Sequence, residues 1–136
     1  MTREIAIKTA AKWWTDKLRQ RAPHDNGAKD PSNLLAMMLA DILTTPMTED
    51  QLTSFQKALE EGIDHELKEN RERRAGLLCD YGPDLLLQEA AMQAGINTNN
   101  FPYKTGMHIE HNGQGYYTVC VSDGYAQPYE RLKPCE

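Results

Sequence analysis

Cysteine is scarce in this chain and poorly placed for joint work. Cys79, Cys120 and Cys135 form an odd set without C-x-x-C spacing, which speaks against a disulfide framework or a cysteine-rich zinc site. No nucleotide-binding loop, no H-E-x-x-H and no G-x-S-x-G occurs, so none of the common signatures for phosphate cradling, zinc-dependent hydrolysis or a serine nucleophile can be read here. Long apolar runs are missing too. The longest, "LLAMMLADIL", is too short to cross a bilayer and is broken by Asp41. The opening "MTREIAIKTAAKWW" has no continuous apolar core with a small-residue cleavage site after it. These absences predict a soluble, cytoplasmic protein that needs no membrane. Positive charge is also in short supply: 15 Lys and Arg face 20 Asp and Glu, a net charge of −5. General nucleic-acid binding, which needs cations to neutralise phosphate, is disfavoured, although a local basic patch is not.

What remains is ordinary globular material. With 136 residues, 40% hydrophobic and 26% charged, the chain is sized for a single domain, 1–136, with a core of its own. Charge is unevenly placed. Residues 1–21 hold six Lys and Arg against Glu4 and Asp16, a balance of +4, while residues 41–66 hold seven acids against Lys57, a balance of −6. Two helices of opposite sign lying side by side is the plainest reading, and a surface with two poles is the bolder one.

Periodicity places four helices. Over 2–21, Ile7, Ala10, Ala11, Trp14 and Leu18 make one apolar stripe with Trp13 beside it. "APHDNG" ends that helix, and Asp30-Pro31 starts the next, 31–43, which is apolar on nearly every side. Thr48 and Gln51 form a capping box that opens a helix carrying Leu52, Phe55, Leu59, Ile63 and Leu67. Its "RERRAG" end suits the helix dipole, predicting continuation to Arg74 with Gly76 as a left-handed stop. Arg71, Arg73 and Arg74 there are either a solvated helix end or contacts for phosphate or a partner carboxylate. "LLCDY" (77–81) is a short strand or the lead-in to the fourth helix, which has Pro83 at its first position, Asp84 in its first turn and Gly95 past its end. After the loop "NTNNFPYKT" come a strand, a turn and a strand, and then a tail that Asp123-Gly124 folds back. The fold class is α+β: an N-terminal three-helix bundle (1–76), then a helix and a small antiparallel sheet (77–136) built on a hairpin over 105–121.

The hairpin decides the functional question. "MHIEHNGQGYYTVC" (107–120) gathers His108, Glu110, His111 and Cys120 around a glycine turn. A two-residue loop would mix polar and apolar side chains on both faces. An odd loop of three or five residues sorts them: Met107, Ile109, His111, Tyr117, Val119 and Val121 on one face, His108, Glu110, Tyr116, Thr118 and Cys120 on the other. In that register His108 opposes Cys120 and Glu110 lies beside Thr118. Imidazole can deprotonate a thiol and a carboxylate can orient the imidazole, so His108, Cys120 and Glu110 are candidates for a Cys/His-dependent enzyme or a zinc site. The geometry reads poorly for both, because the side chains point out from a ribbon with no oxyanion hole, and a structural zinc site would lack its fourth ligand. Elsewhere His65 lies among acids, and Cys79 reads as a buried small apolar residue.

Seven of the ten aromatic residues follow position 80: Tyr81, Phe101, Tyr103, Tyr116, Tyr117, Tyr125 and Tyr129. They either fill and edge a small sheet or form a recognition surface, where amphipathic rings tolerate both water and burial. "DYGPDLLLQEAAMQAGI", "FPYKTGMHI" and "GYAQPYE", spanning roughly residues 79–130, resemble small proteins associated with mobile elements and prophages of gut Firmicutes. The resemblance brings no chemistry and no site residue with it; it implies an accessory role such as counter-defence, in the manner of small acidic inhibitors of CRISPR effectors. The leading expectation is a non-enzymatic protein-binding or regulatory module without cofactor, using Tyr116, Tyr125, Tyr129 and Arg131 for contact, with Glu110 and Asp123 supplying charge. The rivals are the His108, Cys120 and Glu110 chemistry above, and a basic first helix (Arg3, Lys8, Lys12, Lys17, Arg19, Arg21, with Trp13 at its edge) that engages nucleic acid or a partner helix.

Overall fold

A computed structural model describes residues 1–20, 47–70, 74–79, 82–102, 104–123 and 129–134. The helix expected over 31–43 lies outside these, as do Arg21, Arg71, Arg73, Tyr81, Tyr103, Tyr125 and Cys135.

The first helix, α1 (Arg3–Gln20), starts where Thr2 accepts from the Ile5 and Ala6 amides through its hydroxyl and carbonyl oxygens. Its stripe of Ile7, Ala10, Ala11, Trp14 and Leu18 is buried. The Thr9 and Thr15 hydroxyls, also buried, donate to the carbonyls of Ile5 and Ala11 and so need no outside partner.

The acidic helix α2 (Glu49–Glu69) opens on the expected capping box: the Thr48 hydroxyl accepts from the Gln51 amide, and the Gln51 side chain accepts from Thr48 N–H. The Gln51 side chain also donates to the carbonyl of Gly95, tying the start of α2 to the end of a later helix. The α2 C-terminus is a correction to the sequence reading. The helix stops at Asn70, short of Arg74, and Gly76 lies in strand β1 (Ala75–Cys79) opposite His108. The apolar 3-4 alternation ends at Leu67. Ala75, Leu77 and Cys79 then bury every second side chain, a strand's period.

Helix α3 (Leu85–Ala94) begins two residues later than expected, because Pro83 is bridged to Cys79 and Asp84 is the N-cap position. Gly95 ends it in the left-handed conformation (φ 70°), with Ile96 N–H returning to the Ala91 carbonyl. The sheet is completed by β2 (Thr105–His111), β3 (Tyr117–Asp123) and the two-residue β4 (Glu130–Arg131), antiparallel in the order β1-β2-β3-β4. The tail does fold back onto β3, as the Asp123-Gly124 signal predicts.

The α+β class holds: among the described residues there are three α-helices and a four-stranded antiparallel sheet. Arg3 pairs with Asp64 near one end of α1, and Arg19 with Glu49 near the other, so α1 and α2 run antiparallel. Gly62 meets Leu86 while Gln51 meets Gly95, so α3 runs antiparallel to α2 on its far side. Helix α1 lies along β3: Met1 and Tyr117 exchange main-chain hydrogen bonds at one end, and Lys17 pairs with Asp123 at the other. One buried cluster runs through all of this, with Trp14, Phe55 and Phe101 in ring contact at its centre. The helical and mixed parts therefore share a core.

Candidate functional site on the outer sheet face

Alternation along the strands gives the sheet two faces. Ala75, Leu77, Met107, Ile109, Tyr117, Val119 and Val121 face the helices and are buried. The hairpin pairs Met107 with Val121, Ile109 with Val119 and His111 with Tyr117, leaving a five-residue loop over 112–116. This is the shifted register expected from burial of one face. The loop is held by local bonds: Asn112 Oδ1 accepts from the amides of Gln114 (2.8 Å) and Tyr116 (3.1 Å), and Gly113 and Gly115 take positive φ. The His111 ring lies 3.2 Å from Gly113 N–H and 3.1 Å from Gly115 N–H through its two nitrogens. A neutral imidazole has one acceptor nitrogen, so each tautomer serves one of these amides at a time.

The face turned away from the helices carries Leu78, Gly106, His108, Glu110, Thr118, Cys120, Ser122, Tyr129 and Arg131. His108 opposes Cys120 across the hairpin, and Cys120 opposes Arg131 across the next pair. Tyr129 reaches over the glycine in β2. A Cβ placed on Gly106 would lie 2.6 Å from the Tyr129 hydroxyl oxygen, and the tyrosine ring lies 4.6 Å from the His108 ring. His108 Nε2 in turn lies 3.4 Å from Glu110 Oε1. Leu78 and Tyr129 remain half exposed at 50% and 49%, whereas Cys120 and Ser122 are buried on this same face.

This environment shapes the thiol. Burial pushes Cys120 above its ordinary range, the Glu110 carboxylate adds to the rise, and Arg131 opposes it. A nucleophilic cysteine requires the reverse shift, since the thiolate is the reactive species. Among the described residues, no group of three or more His, Cys, Asp and Glu side chains is placed to hold a metal ion; His108, Glu110 and Cys120 share a face without converging.

The structure thus brings together Tyr129, Arg131, Glu110, His108 and Cys120. Tyr116 stands apart at the exposed hairpin tip. Asp123 belongs to the opposite face, where Lys17 of α1 takes its carboxylate. Of the aromatic residues after position 80, Phe101 and Tyr117 are core. Leu78 and Gly106 are members of the face that the sequence reading did not single out. The available signal was Leu78 in an alternating strand, but it needed the β1–β2 pairing to become meaningful.

The cations of α1 are largely spoken for. Arg3 pairs with Asp64, Lys12 with Asp16, Lys17 with Asp123, and Arg19 with both Asp16 and Glu49. Lys17 also lies 5.1 Å from the Trp13 ring centre, and Trp13 packs edge-on against Trp14 rather than standing free. Two helices of opposite sign side by side is therefore what the charge pattern encodes. Among the described residues, no helix is long and apolar enough to cross a membrane. No protein-family model matches the chain, and no curated protein matches it.

Proposed function

We propose that this chain is a small non-enzymatic protein-binding module of the cytoplasm, engaging its partner with the sheet face turned away from the helices. Tyr129 and Arg131 lead the contact, and Glu110 and the hairpin-tip Tyr116 flank it; Tyr125, outside the described residues, is retained from the sequence, whereas Asp123 is held by Lys17 on the opposite face and drops out of the set. The observation that carries the reading is the half-exposed Tyr129 beside Leu78, His108 and Arg131. A rigid aromatic next to an aliphatic side chain and a guanidinium is the composition on which interface energies concentrate. The raised Cys120, buried on this face, argues against nucleophilic chemistry there.

The mobile-element resemblance makes the partner a component of host machinery, and the net charge of −5 suits an inhibitor that occupies a basic surface. A pull-down from host lysate tests this: Tyr129→Ala with Tyr125→Ala, and separately Arg131→Ala, should abolish capture of whatever the wild-type chain retains. Retention unchanged by both variants would end the proposal for this face.

A further inference from the structure

A second surface lies between α2 and α3. Small residues of both helices line it: Ala58 and Gly62 on α2 and Ala90 on α3. A Cβ at Gly62 would lie 2.7 Å from Leu86 Cδ1, so a larger residue there would push the Leu86 side chain aside. A groove of about 410 Å³ opens there, lined also by Leu86 and by Leu85, which is 68% exposed. Its walls carry Glu61 and Glu66 from α2 and Glu89 from α3, with His65 and Gln93 between them. These three carboxylates make no ion pair among the described residues, in contrast to Asp16, Glu49, Asp64 and Asp123, which all take a Lys or Arg of this chain. Nor do they belong to any cluster that could hold a metal ion.

We infer that this groove is a docking site for a basic amphipathic helix of a partner protein. An apolar floor with anionic walls on both sides is complementary to a helix that buries a leucine-type stripe and presents Lys or Arg along its flanks. A small polycation satisfies the walls but not the floor, and an apolar helix leaves the carboxylates unpaired. The site shares no residue with the outer sheet face, so it stands or falls separately.

The test uses the full chain and a labelled Leu/Lys amphipathic peptide of about four helical turns, with a Leu/Glu peptide of the same apolar pattern as its counterpart. Fluorescence anisotropy should show binding of the Lys peptide that weakens with added salt, and none of the Glu peptide. Replacing Glu61, Glu66 and Glu89 by Gln should weaken binding about tenfold, the sum of three exposed charge pairs of ordinary strength. A control that neutralises three exposed acids elsewhere (Glu4→Gln, Asp50→Asn, Glu130→Gln) should leave it within about twofold, and Tyr129→Ala should not change it. Amide shifts on binding should centre on Gly62, His65, Leu85 and Gln93. Equal weakening by the two triple variants, equal binding of the Glu peptide, or no binding of either peptide would overturn the inference.

Discussion

Replacing Gly106 by alanine interrogates the one contact on which the outer face is built. The new Cβ would lie 2.6 Å from the Tyr129 hydroxyl oxygen and 3.3 Å from Leu78 Cδ1, so methyl and hydroxyl cannot share the space. The strand itself accepts alanine, because Gly106 pairs with Leu78 and Ser122 in regular antiparallel register, and losing a glycine from a strand interior recovers about 0.5–1 kcal/mol of chain entropy. Overpacking a closed site costs about 1–3 kcal/mol. This site is open on one side: with Tyr129 49% exposed, the ring can swing aside. The loss is then limited to its contact with His108, about 0.5–1.5 kcal/mol. Gain and loss nearly cancel, and Gly106→Ala alone should move stability by less than about 1 kcal/mol. The informative quantity is the coupling. With Tyr129→Ala already in place, only the flexible end of Leu78 need yield, and Gly106→Ala should stabilise by about 0.5–1 kcal/mol. The cycle therefore gives a coupling of about 1 kcal/mol. Urea unfolding of the four proteins, with m unchanged, measures every corner. The same effect of Gly106→Ala in both backgrounds would refute the placement of Tyr129 over the sheet.

Three further outcomes follow from the geometry. Because the folded Cys120 thiol holds its proton more tightly than the unfolded one, its contribution to stability is full below the unfolded pKa and is lost as pH rises toward the folded value. With Cys79 and Cys135 replaced by Ala, its alkylation at pH ~9 should lag that of an unstructured cysteine peptide, and equal rates would contradict its burial. Asn112→Ala removes the acceptor for two loop amides and should cost about 1 kcal/mol in thermal unfolding; no change in midpoint would mean that the loop does not depend on it. Asp84→Ala removes the carboxylate that accepts from Leu78 N–H at 2.6 Å and should cost about 1.5–3 kcal/mol, whereas Asp84→Asn keeps an acceptor and should recover part of that. Equal losses in denaturant midpoint would rule out this bond as the reason Asp84 matters.

The features legible in the sequence are those whose physics is local or strictly periodic. The two faces of the hairpin followed from one condition, that Met107, Ile109, Tyr117, Val119 and Val121 be buried together, because a one-residue slip of the pairing would exchange them. The capping box at Thr48 and the glycine stop at Gly95 are also nearest-neighbour chemistry. The end of α2 was misread because "RERRAG" satisfies a helix C-terminus electrostatically, while the decisive signal was the change of period between Leu67 and Ala75. Asp84, expected inside the first turn of its helix, is instead the residue just before it, and its side chain makes no cap bond but accepts from Leu78 in β1. The candidate site suffered most. Tyr129 meets Gly106 and His108 across some twenty residues of chain, and no spacing rule in a sequence anticipates a tyrosine laid over a glycine. Asp123 and Tyr129, read as neighbours on one surface, are separated by strand alternation, and Lys17 takes the former.

The placement of charge bears on the proposed protein partner more directly than composition does. The six cations at the start of the sequence invited a nucleic-acid reading, but Arg3, Lys12, Lys17 and Arg19 are bound to carboxylates of this chain. Asp64 shows how far the pairing reaches. Desolvation alone would push its carboxyl up, yet hydrogen bonds from Lys68 and Arg3 outweigh this and hold it below its usual range. Phosphate would have to displace these carboxylates before meeting the same cations, and at ordinary salt that exchange returns little. Among the described residues, Glu61, Glu66 and Glu89 along the α2–α3 groove make no ion pair, and the outer sheet face carries the half-exposed Leu78 and Tyr129. Among the described residues, four α1 cations are paired within the chain whereas Glu61, Glu66 and Glu89 make no ion pair, and the proposed docking of a basic, amphipathic helix rests on that asymmetry.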